Sequence, residues 1–213
     1  MIRILDGIDY HALETNPKPI IGYSDITALH AAVQRKCWLV TYHGPTAREA
    51  LTSFSRDSLQ RAVVAQTDSC GKASKARTLA GGKADGRLAG GNLAVLASLC
   101  GTAYAPDLTD SILILEDINE PVYRVDRLLQ QLKLSGMLRG CKAIAFGEFV
   151  KCADDAAGRS LEDVFSEIAR ELRIPSVVGI PVGHIAEQWT LPLGAMATLD
   201  ADACTLNITS YSN

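Results

Sequence analysis

With 213 residues, of which 47% are hydrophobic and 21% charged, the chain is long enough for one large domain or two small ones with a sizeable core. The formal net charge of -3 and pI near 5.8 come from interspersed charges, and the lack of a basic stripe argues against a nucleic-acid partner. No apolar stretch reaches the roughly 18 residues of a membrane span, and MIRILDGIDY lacks the order of a secretory signal, so the composition reads as cytoplasmic with no membrane partner.

Residues 3–14, RILDGIDYHALE, predict a short helical piece, which NPKP breaks before the strand-like IIGY. From Asp25 onward Ile26, Leu29, Ala32 and Val33 recur at helical spacing, which predicts one apolar face and an opposite polar one. CWLVTYHGP reads as a second strand closed by Gly-Pro. Residues 67–87, TDSCGKASKARTLAGGKADGR, carry no sustained apolar period and are assigned to a linker. It separates a first part, residues 1–66, from a second part, residues 88–213.

In that second part GGNLAVLASLCG predicts a glycine turn opening a helix, and SILILED a buried strand. VYRVDRLLQQLKLSGML predicts an amphipathic helix through Val122, Val125, Leu128, Leu129 and Leu132, with Gly136 near its C-cap. CKAIAFGEF follows as a strand, and then a helix whose Ser160 and Asp163 resemble a capping box. SVVGIPVGH and ATLDADACTLNI supply a strand and a hairpin. The class is α/β throughout, without internal repeats.

Six scattered cysteines form neither a CxxC pair nor a Cys/His cluster, which predicts reduced thiols and no metal site. Ser24 lies at a strand-to-helix switch, beside backbone N–H groups that suit an oxyanion. Gly22-Tyr23-Ser24-Asp25-Ile26 is not a GxSxG elbow, and the plain alternative is that Ser24 or Asp25 caps the helix. Glu116 ends an apolar strand and could orient an imidazole; otherwise it pairs with Arg124 or Arg127 while Asp117, Asn119 and Glu120 cap the next helix. A divalent metal on these carboxylates has no spacing to support it. Of four histidines, His184 begins a loop after a glycine, His43 is a rival base, and His30 is expected to point away from Ser24 as a surface or packing residue. Trp189 and Leu191 fit a pocket wall or the core equally well.

The strings RILDGIDYHAL, KPIIGYSDITALH, TYHGP, GGNLAVLASLCGT, ILILEDINEPVYRVDRLLQQL and GIPVGHIAEQWTLPLGA, in this order, resemble the murein LD-carboxypeptidases, which include the microcin C immunity peptidases. The resemblance implies a partial Rossmann-like nucleophile domain followed by a mixed α/β domain. It also implies a Ser24-Glu116-His184 triad with the N–H of Asp25 in the oxyanion hole. No metal or other cofactor is implied. The implied partner is a small murein peptide that loses its terminal D-alanine in cell-wall recycling, and a homodimer is left open. Members of that family carry a glycine-rich RGGYG string ahead of the point matching Met1, so the chain is expected to be a shortened member. That leaves three further readings: a catalytically impaired remnant binding a ligand or partner, a microcin C-type immunity peptidase, and an esterase of α/β-hydrolase type.

Overall fold

The strand expected from SILILED organises the molecule. In a computed structural model that describes residues 1–48, 50–152 and 158–211, its side chains alternate between two apolar layers. Leu113 and Leu115 face one layer, Ile112 and Ile114 the other, and a strand covered on both faces has no use for polar residues until it ends.

The chain opens with a 3-10 turn, Ile2–Gly7, and helix α1, Tyr10–Thr15. The predicted single helical piece is thus split, because the Asp9 side chain accepts the Ala12 N–H at 2.9 Å and starts a new helix. Strand β1, Ile21–Gly22, a 3-10 turn, Ser24–Ile26, helix α2, Thr27–Cys37, and strand β2, Thr41–His43, follow. Helix α2 is not two-faced as expected. Thr27, Ala28, His30, Ala31, Ala32 and Val33 are all buried, since small residues let it sit deep between layers. Helix α3, Ser53–Leu59, runs into a π-helical turn, Gln60–Ala65, for which the sequence offers no periodic signal.

Strands β3, Gly71–Lys72, and β4, Arg77–Ala80, and the first half of β5, Lys83–Asn92, occupy the segment expected to be a linker. The assignment to a linker is therefore corrected. β3 and β4 are the outermost strands of the large sheet, where backbone hydrogen bonds and a few small apolar residues such as Ala73 suffice. Helix α4, Leu93–Ser98, strand β6, Ser111–Ile118, helix α5, Val122–Leu134, strand β7, Ala143–Val150, helix α6, Leu161–Leu172, and strand β8, Ser176–Val178, build the parallel centre. The chain ends with β9, Leu191–Leu193, and the hairpin of β10, Met196–Asp200, and β11, Thr205–Ser210.

The large sheet has the order β3-β11-β10-β5-β6-β7-β8-β4, with β5 to β8 parallel and antiparallel strands on either side. The small sheet, β1-β2-β9, pairs two parallel strands of the first part with a strand from near the chain's end. Val122, Val125, Leu129 and Leu132 of α5 are buried as the spacing predicts, and Gly136 at φ +82° follows the helix end. Ser160 and Asp163 form the expected reciprocal capping box on α6. All six cysteines are free thiols.

β5 and β6 come together closely at Gly90. A Cβ there would lie 2.0 Å from the Ile114 carbonyl oxygen, at a φ of +118°. Gly90→Ala must push the two strands apart, and it is expected to cost about 2–4 kcal/mol, read as a fall in the urea midpoint.

Candidate functional site

Ser24 is presented by a sharp turn. Tyr23 is extended at φ -147°, Ser24 is left-handed at φ +60°, and the chain enters the 3-10 turn and then α2. A non-glycine residue in that region costs on the order of 1 kcal/mol or more, and such strain concentrates where side-chain direction matters. Gly22 makes the turn possible, because a Cβ there would lie 2.9 Å from Cγ1 of Ile26. The first ladder bond runs from the Ile26 N–H to the Tyr23 carbonyl at 3.2 Å. The N–H groups of Ser24 and Asp25 thus lie ahead of the ladder, at the positive end. The helix-cap alternative does not occur: neither side chain accepts a bond from the first turn, and the Asp25 carboxylate pairs with the Met1 amine.

Glu116, fully buried near the end of β6, lies with Oε2 2.8 Å from Nδ1 of His184. The loop carrying His184 approaches this closely because glycines line its path. A Cβ on Gly183, at φ +128°, would lie 3.1 Å from Oε2 of Glu116, and one on Gly147 would lie 2.4 Å from the Val182 carbonyl oxygen. Burial pushes the Glu116 carboxyl up from its ordinary value, and the His184 imidazole pulls it back. The Tyr23 ring meets the His184 ring edge-on, centroids 4.9 Å apart, which sets the neighbour of Ser24 against the imidazole. Among the described residues no hydrogen bond joins Ser24 to His184.

A chain of contacts closes behind this group. The Asn92 N–H donates to Thr27 Oγ1 at 2.9 Å, and Asn92 Nδ2 donates to Asp117 Oδ1 at 2.9 Å. Asp117 also accepts the Ala94 N–H at 2.9 Å. Asp117 therefore serves α4, not the following helix, whose N-cap Pro121 has no side-chain cap. Glu120 pairs with Arg124 at 2.9 Å, and Arg127 lies over the Tyr123 ring, so the expected alternative of Glu116 with either arginine does not form. Among the described residues no group of His, Cys, Asp and Glu is arranged to hold a metal ion.

Three buried serines missed by sequence reasoning brace the His184 loop. Ser55 Oγ donates to the Ala186 carbonyl and accepts the Gln188 N–H, both at 2.9 Å. Ser58 Oγ accepts the Thr190 N–H at 2.8 Å, and Ser69 Oγ donates to the Thr190 carbonyl at 2.7 Å. A hydroxyl serves here because one small group can both donate and accept, as that of Ser55 does. Trp189 and Leu191 belong to the core.

His43 is fully buried behind Tyr23, with neither ring nitrogen hydrogen-bonded among the described residues. Burial lowers its pKa to about 3 and that of His30, also fully buried, to about 4. Their folded values lie below the unfolded one, so the stability they confer is present above about pH 6.5 and is lost as pH falls toward 4 and then 3. The two rings alone are expected to lower stability by about 2 kcal/mol per pH unit between pH 6 and 5, an effect that the raised Glu116 carboxyl partly offsets. Urea titrations across that range measure it, and a flat profile would show that these rings are not buried as neutral groups.

Two family models match the chain: the LD-carboxypeptidase N-terminal domain over residues 1–44 and the LD-carboxypeptidase C-terminal domain over residues 85–199. The chain is 35% identical to the murein tetrapeptide carboxypeptidase of Pseudomonas aeruginosa over 218 residues, covering 94% of this chain and 69% of that protein. It is 29% identical to the microcin C7 self-immunity protein MccF of Escherichia coli, covering 97% and 70%. Among solved structures, the muramoyltetrapeptide carboxypeptidase of Oxalobacter formigenes superposes with a TM-score of 0.86 at 31% identity, covering 99% of this chain and 75% of that one. The chain spans about two thirds of the length of its curated relatives, 65% for one from Bacillus subtilis. With both family models in register, a mixed α/β fold shared with these proteins and a glutamate-histidine pair set beside a strained serine turn, this chain belongs to the LD-carboxypeptidase family.

Proposed function

We propose that the chain carries the catalytic group of a serine LD-carboxypeptidase that removes the terminal D-alanine from murein tetrapeptide. The observation that supports this most directly is the 2.8 Å bond from His184 to buried Glu116, beside the turn that presents Ser24. With Nδ1–H donated to Glu116, the imidazole has its Nε2 lone pair available as a base. His184 takes the proton of Ser24 Oγ as that oxygen attacks the carbonyl carbon of the bond between the L-centre and D-alanine. Oxyanion charge is met by the Asp25 N–H, which lies ahead of the helical ladder. As the tetrahedral species collapses, His184 returns the proton to the departing amine and D-alanine leaves. Water, deprotonated by His184, then attacks the ester and frees Ser24.

The likeness to MccF favours one alternative, an immunity peptidase acting on an aminoacyl-nucleotide analogue, since MccF has been solved with aspartyl sulfamoyl adenosine. Incubation with murein tetrapeptide, with released D-alanine followed by D-amino-acid oxidase, tests the main reading. Silence on that peptide with cleavage of an aminoacyl sulfamoyl adenosine would replace it.

A further inference from the structure

We propose that His30 is a positioning residue for this reaction, its neutral ring holding the turn that presents Ser24; the inference rests on the reading of Ser24 as the nucleophile. Helical side chains lean toward the N-terminus of their helix, so the His30 ring, on α2, reaches back over the first turn to β1. There its Nε2 lies 2.9 Å from the Gly22 carbonyl oxygen. A carbonyl only accepts, so Nε2 carries the hydrogen and Nδ1 is bare. Nδ1 is buried with no hydrogen-bond partner among the described residues, which fits the neutral ring.

The Gly22 carbonyl already accepts the Gly44 N–H at 3.1 Å from beyond the end of β2. It does not need His30 in order to be satisfied, and a leucine would fill much of the same buried volume. What the second bond adds is direction. One oxygen is tied to β2 and to α2 together, so the peptide plane after Gly22 cannot rotate. Glycine has the widest backbone freedom of any residue, and two positions later the chain must hold φ +60° at Ser24. Without the clamp that turn relaxes and Ser24 is held less firmly for attack, although substrate still binds.

The test compares His30→Leu with His30→Gln, whose terminal amide can donate at similar reach, in the full chain. The leucine variant is expected to lose roughly 10- to 100-fold in kcat on murein tetrapeptide, with KM within about 2-fold. It should lose the same factor in the rate of Ser24 labelling by a fluorophosphonate. The glutamine variant should stay within about 5-fold of the parent in both. Nitrogen NMR of the unsubstituted protein should show the Nε2–H tautomer at His30 from pH 5.5 to 8. Equal kcat for the two variants, or an Nδ1–H tautomer, would overturn the proposal. If the leucine variant does not fold, His30→Asn, whose amide is too short to reach Gly22, takes its place with the same expectations. A protein that cleaves no tetrapeptide yet is labelled at Ser24 would end the carboxypeptidase reading, while the labelling rates still decide the clamp.

Discussion

Ser24→Ala is expected to lower D-alanine release by about 10⁴-fold or more, to the level that binding and oxyanion contacts sustain alone. The substitution removes one oxygen and leaves the buried surroundings as they are. Alanine at φ +60° bears much the same strain as serine, so the folded state should persist with a urea midpoint close to the parent's. The measurement is the rate of D-alanine appearance, with fluorophosphonate labelling as a second readout. Labelling should vanish together with turnover. Release that survives the substitution would mean that another group, or water activated directly, attacks the peptide, and the proposed mechanism would be wrong.

Glu116→Gln separates activity from stability. Activity is expected to fall by about 10⁴-fold, because glutamine can donate its amide hydrogen to Nδ1 and so stabilise the wrong tautomer, and it cannot balance the imidazolium that forms. Stability should move the other way or hardly at all. The folded Glu116 carboxyl has a raised pKa, so its favourable contribution is present below the ordinary carboxylate value and is lost as pH rises through the raised one. An ionised carboxyl in this buried place carries a desolvation cost, which a neutral amide of the same shape avoids. Kinetics and urea denaturation at pH 7 measure the two effects on one sample. A variant that loses stability by several kcal/mol while keeping its turnover would show that the pair with His184 is structural only.

Local chemistry was legible in the sequence wherever neighbours along the chain decide it. The α5 spacing, the Ser160–Asp163 box, the apolar run of β6 and the final hairpin all depend on residues a few positions apart. Strands β3 and β4 within residues 67–87 were hidden because sheet margins are held by backbone bonds that leave no mark in side-chain pattern. The bracing serines were hidden for a related reason. In Ser55 and Ser58 a buried hydroxyl looks like any polar surface residue until its partners, more than a hundred positions away, are known.

The same division runs through the candidate site. The sequence by itself determined that Ser24 stands at a strand-to-helix switch and that Glu116 ends an apolar strand, and motif resemblance linked them with His184. Only the tertiary structure decided that Glu116 meets His184 and not an arginine, that Asp117 serves α4, and that His30 turns inward to the Gly22 carbonyl. The reason is physical: a contact between residues 68 positions apart has no periodicity of its own, and it arises only when Gly147 on β7 and Gly183 let the His184 loop approach the end of β6 within van der Waals range.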